Sequence, residues 1–175
     1  MSLPVTFDNV PYFGNEYRGD LVITHGVIYY FPHTNVSLEK KKNAGYDAIP
    51  GFASHFGLLS LPFLLLGALI KELRSTINEP KLRKLGLWKD GESSQALQSR
   101  LDAHIAQVKQ QPPQLTQFEY SLPKPMRFAH AEIKNLSTRG GLRFDTEYDS
   151  HDFSIGFSRK KLLRESISEA GFTQA

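Results

Sequence analysis

The run Gly51–Ile70, GFASHFGLLSLPFLLLGALI, limits what this chain can fold into more than any other feature, because His55 is its only ionisable residue. Leu, Phe, Ala and Gly fill nearly all the rest. A helix through the whole run measures roughly 30 Å, the thickness of a bilayer's hydrocarbon core. Pro62 stands in its middle, however, with Gly57 and Gly67 on either side, and the apolar part beyond His55 is short for a full span. Three readings follow. The run is a transmembrane anchor, a re-entrant or monotopic helix pair bent at Ser60-Leu61-Pro62, or a soluble helix buried in its own core or in an oligomer.

The flanks constrain the choice. The chain enters the run through Glu39-Lys40-Lys41-Lys42 and leaves it through Lys71-Glu72-Leu73-Arg74, so both ends carry cations. A single crossing would send one of them to the far side, against the preference of basic flanks for the cytoplasmic face. From Ser75 to Trp88 the chain is basic and broken by Pro80, and its mix of leucine, lysine and tryptophan suits a lipid headgroup zone as well as a surface helix.

With 175 residues there is room for one domain, or one domain with a large insertion. The absence of cysteine removes disulfides, thiolate metal sites and cysteine catalysis, and fits a reducing compartment. The start MSLPVTFDNV has neither the basic nor the apolar region of a signal peptide, which leads us to expect the folded parts on the cytoplasmic side. A net charge of +3 is too small for a dedicated nucleic-acid binder, though local basic clusters favour an anionic membrane surface.

Outside the apolar run the pattern is β, then helix, then β, then helix. Leu21–Thr24 and Val27–Phe31 around His25-Gly26 read as a hairpin, with an earlier strand over Val5–Val10 and a later one over Thr34–Leu38. Ser93 or Ser94 caps a helix to Lys109 whose Leu97, Leu101, Ile105 and Val108 share one face, and Pro112-Pro113 follows it. Strands are expected over Leu115–Leu122, Met126–Leu136, Leu142–Tyr148 and Asp152–Phe157, the last two joined by a polar turn at Asp149-Ser150-His151. Ser158 then caps a helix from Arg159, with Leu162, Leu163, Ile167 and Ala170 on one face and Gly171 as its stop.

The segment GDLVITHGVIYYFP resembles the opening hairpin of bacterial PH-like and GRAM-type domains, and the stretch from Met126 to Phe172 resembles their closing half, a hairpin and then a helix ending in Ala-Gly-Phe. The resemblance implies an α+β fold: a PH-like antiparallel β-barrel or sandwich capped by a C-terminal amphipathic helix. Residues 1–42 and 113–175 would form this split domain, interrupted by a helical insertion over 43–112 that carries the apolar segment 51–70. Both halves of one barrel lie on one side of any membrane, so a single crossing is then excluded. Non-helical backbone at membrane depth is tolerated only under protein cover, which favours oligomerisation or shallow insertion. PH-like domains often hold phosphoinositides in a basic pocket, but here His25 occupies the hairpin turn and Arg18 is the nearby cation, so no specific inositide site maps onto it.

These readings name the candidate residues. Membrane insertion falls to Phe52, Phe56, Leu58, Leu59, Leu61, Pro62, Phe63, Leu64, Leu65, Leu66, Leu69 and Ile70, and interfacial contact with anionic lipid to Lys40, Lys41, Lys42, Lys71, Arg74, Arg83, Lys84, Trp88 and Lys89. Arg159, Lys160, Lys161 and Arg164 crowd the start of the last helix, where cations oppose its dipole; an anionic headgroup would offset that, and side chains reaching into water explain it equally. The six histidines show no HxxxH or HExxH spacing, so no metal is expected, and His55 is the one to watch because it lies in an apolar run. Asp145, Glu147, Asp149 and Asp152 alternate toward solvent, and no serine sits in a nucleophile elbow. The expectation is a protein without enzymatic activity or cofactor, a membrane-associated adaptor or scaffold that binds anionic lipid with low specificity and associates with a protein partner or with itself. The alternative is a soluble accessory subunit with the apolar helix buried against partner chains.

Overall fold

The computed structural model describes residues 4–12, 16–36, 81–110 and 123–173. The chain divides into two compact units, residues 1–36 with 80–175, and residues 37–79. The second unit, and with it the strand end expected at Leu38, lies outside the described residues, as does the strand expected over Leu115–Leu122.

The first unit is built on the hairpin of β2 (Tyr17–Thr24) and β3 (Val27–Asn35), turned at Gly26 with φ +68°. Leu21, Ile23, Ile28 and Tyr30 face one apolar core, while Val22, Val27, Tyr29 and Phe31 face another. Successive side chains on a strand point to opposite faces, so a hairpin covered on both sides needs apolar residues at nearly every position. That is why its sequence reads as two unbroken apolar runs rather than as an alternation.

Strand β1 (Val5–Tyr12) pairs with β2, and β4 (Met126–Ala129) pairs with β3. Strands β5 (Lys134–Ser137), β6 (Leu142–Asp145) and β7 (Ser150–Phe153) form a meander joined to β1 through Tyr12 and Phe153. The strand order is β4-β3-β2-β1-β7-β6-β5, antiparallel throughout. Two four-residue edge strands, β4 and β5, end the sheet.

One helix layer completes each core. After a short α1 (Lys81–Lys84), α2 (Ser94–Gln110) lays buried Leu97, Leu101 and Ile105 on the outer face of the hairpin, joined by Leu82 and Leu87. The Ser93 hydroxyl accepts the Ala96 N–H at 3.3 Å and caps α2. On the opposite face α3 (Lys160–Glu169) buries Leu163 and Ile167, with Ala170 and Phe172 beyond its end. It closes in a Schellman motif: Gly171 takes φ +85°, its N–H donates to Ser168 O, and the Phe172 N–H donates to Ile167 O.

The expected PH-like barrel is not formed. The seven strands make one open sheet, and no ladder joins β4 to β5 among the described residues although the two are consecutive in the chain. The strand expected over Met126–Leu136 breaks at the 3-10 turn His130–Glu132, where the Glu132 carboxylate takes the Ala129 N–H at 2.7 Å and so covers a donor on the β4 edge. Residues 81–110, grouped with the insertion in the sequence reading, lie against the sheet and form half of its second core. The last hairpin turns at Thr146–Asp149, which leaves Ser150 and His151 in β7, and α3 starts at Lys160 after a 3-10 turn with no side-chain cap from Ser158. Among the described residues no helix is long and apolar enough to cross a membrane.

Candidate functional site

Strand β3 ends at Asn35 and the described chain resumes at Lys81. Near them the Val36 N–H beyond β3 donates to the Glu16 carbonyl, and Asp20 of β2, a buried carboxylate, meets His33 of β3 and Leu82 of α1. Its Oδ2 accepts the Leu82 N–H at 3.1 Å, while Oδ1 accepts the Asn9 N–H at 3.3 Å and lies 3.5 Å from His33 Nε2. Burial pushes the Asp20 pKa up, but the His33 bond and the Leu82 and Asn9 amides outweigh it and hold the group below its ordinary value. An ionised carboxylate therefore ties the strand that leaves for residues 37–79 to the turn that follows them. His33 Nδ1 also meets the Thr34 hydroxyl at 2.9 Å. Carboxylate, imidazole and hydroxyl stand in the order of a hydrolase relay, yet Asp20 is committed to two backbone amides and serves as a clamp.

Beyond the clamp, Leu82 and Leu87 are buried and Trp88 packs beside them. Asp90 accepts from Arg83 Nη2 at 2.9 Å and from Trp88 Nε1 at 3.0 Å, fixing two of the expected interfacial residues against each other. Arg83, Lys84 and Lys89 face solvent, and Leu85 among them is 55% exposed. The other expected interfacial residues, Lys40, Lys41, Lys42, Lys71 and Arg74, lie outside the described residues, as do all the expected membrane-inserting ones and His55.

The four cations at the start of α3 divide. Arg159 is engaged with Asp8, donating to its carboxylate at 2.7 Å and its backbone carbonyl at 3.2 Å. Lys160 holds its ammonium 5.5 Å from the centroid of the Phe157 ring, which is 88% exposed. Lys161 stands 3.9 Å from Glu165, and Arg164 is exposed one turn on. Phe157, the last residue of the strand expected over Asp152–Phe157, lies instead in the 3-10 turn before α3, beyond the end of β7 at Phe153. Its position just past Gly156, outside the apolar face of α3, is the signal that marks it as outward.

No group of three or more metal-ligating side chains assembles among the described residues. His151 sits in the first core beside Phe128, Phe144 and Phe153, and its Nδ1 meets the Tyr12 hydroxyl at 2.9 Å. Burial lowers its pKa, with partial opposition from Asp149 and Asp145. Above it a cleft of about 330 Å³ opens between β4, the 3-10 turn and the last hairpin, lined by Arg127, Phe128, Glu132, Lys134, Glu147 and Tyr148 among others. Arg127 is already spent on Asp102 of α2, which also accepts the Tyr29 hydroxyl. Comparison with protein-family models, with curated proteins and with solved structures gives no match for this chain.

Proposed function

We propose that this protein is a non-enzymatic adaptor that docks on the cytoplasmic face of a membrane through residues 37–79, with the sheet unit as its rigid carrier. The Asp20 clamp is the observation that carries this reading. His33, three residues before Val36, and Leu82, after the segment, contact one carboxylate, so the chain on both sides of the segment is fastened to the same hairpin. An apolar run with cationic flanks, whose two ends are fastened to one folded sheet, enters and leaves a bilayer on the same side. A single crossing does not satisfy that constraint, whereas a re-entrant or in-plane arrangement does. The exposed cluster of Arg83, Lys84, Leu85 and Lys89, directly after the clamp, supplies a leucine and cations where the chain comes back.

Membrane fractionation of the untagged protein tests the reading. Retention through a salt wash and an alkaline-carbonate wash is the expected result. A monomer recovered in the soluble fraction from the start overturns it, and recovery there in a stable complex transfers the apolar run to a partner chain.

A further inference from the structure

We infer that the start of α3 is a second membrane contact, in which the Phe157 ring enters the headgroup layer while Lys160, Lys161 and Arg164 meet anionic lipid. The inference rests on the docking reading above and names a surface of the folded sheet unit that takes part in it.

Three observations support it. Phe157 is 88% exposed in the 3-10 turn between β7 and α3, although Phe153 and Ile155 just before it are buried. A phenylalanine left in water forgoes most of its burial free energy, which contact with an apolar phase would recover. Second, Lys160 lies over that ring, and ring and cation side by side form the amphipathic pair favoured at a bilayer interface. Third, Lys161 and Arg164 are exposed on one side of α3 and Phe157 is exposed in the 3-10 turn just before it, while Leu163, Ser166 and Ile167 turn inward. One outward stripe therefore presents an aromatic tip and then cations. Arg159 is not part of it, because Asp8 already holds its guanidinium. A soluble anion would satisfy the cations but not the ring, whereas an anionic lipid surface complements both, and it is the occupant we assign.

The chain contains no cysteine, so a single introduced thiol reports one site. Full-length protein with Ser158→Cys, labelled with an environment-sensitive fluorophore, keeps Phe157 in place; Glu147→Cys at the last hairpin serves as the distant control. The vesicles are phosphatidylcholine alone or with phosphatidylserine. The expected result is a blue shift at 158 and none at 147, on the anionic vesicles only. Phe157→Ser should weaken partitioning about tenfold, and each neutralised cation roughly fivefold, without changing the thermal midpoint of the free protein. If the protein floats with the vesicles while the probe at 158 stays aqueous, this inference is overturned and the docking reading stands. If it floats with neither vesicle, both fall together. A shift that persists on neutral vesicles removes the role given to the cations.

Discussion

His151 is buried against the rings of Phe128, Phe144 and Phe153, and its imidazole Nδ1 meets the Tyr12 hydroxyl. Burial depresses its pKa below the ordinary 6.5, so below pH 6.5 the unfolded chain takes up a proton that the folded chain resists. The stability that neutral His151 provides is whole above pH 6.5 and drains away as pH falls toward the folded value. Asp20 acts in a separate, more acid window. Its carboxyl is held below the ordinary 3.8, so its contribution is whole above pH 3.8 and is lost as pH falls through the folded value. Urea unfolding from pH 7.5 down to 5 should show a falling midpoint in the native protein and a flatter profile in His151→Gln, whose amide still offers Tyr12 an acceptor. Equal slopes would mean that His151 is not the group titrating. Neither role was readable from sequence. A lone histidine beside Asp149 and Ser150 looks like a turn residue, and only the pairing of β6 with β7 puts it on the inner face.

Among the elements, α2 shows what periodicity can and cannot tell. Its cap at Ser93 and its face of Leu97, Leu101 and Ile105 follow from the sequence, because local hydrogen bonding and a 3.6-residue repeat decide both. The surface that this face covers does not follow, since it lies on Val22, Tyr29 and Phe31, far away in the chain. The clue was in the hairpin, whose strands are apolar at successive positions and so require cover on both sides. Met126–Leu136 failed for a related reason: the strand propensity is continuous, but Glu132 folds back on Ala129 and the chain turns a corner there. The packing of α2 gives a direct prediction. Leu101 is fully buried between helix and hairpin, so Leu101→Ala should cost about 2–5 kcal/mol, read as a lower denaturant midpoint. Ala103, exposed on the same helix, should tolerate Ala103→Ser within about 0.5 kcal/mol. If both variants unfold alike, α2 is not docked as described.

For the whole molecule, the open sheet and the interrupting segment make separable demands on the chain. Two apolar cores sit on opposite faces of one sheet, and their described residues come from 4–36, 81–110 and 123–173. Closing the interrupting segment as a loop costs conformational entropy that grows only slowly with its length. The Asp20 clamp brings His33, three residues before Val36, and Leu82 to one carboxylate, so a short flexible bridge reaches from Val36 to Lys81. Replacing residues 37–79 by a linker of about six glycines and serines should therefore give a cooperatively folding protein at least as stable as the native one, because shortening a loop severalfold recovers roughly 1–2 kcal/mol. In the shortened protein carbonate-resistant membrane retention should disappear, leaving a weak, salt-sensitive attachment through the Phe157 face. Asp20→Ala in the same shortened chain should lower the denaturant midpoint, since it leaves the Leu82 and Asn9 amides without their acceptor. Retention of the shortened protein through carbonate would assign tight membrane binding to the sheet unit, and failure to fold would show that residues 37–79 form part of its core.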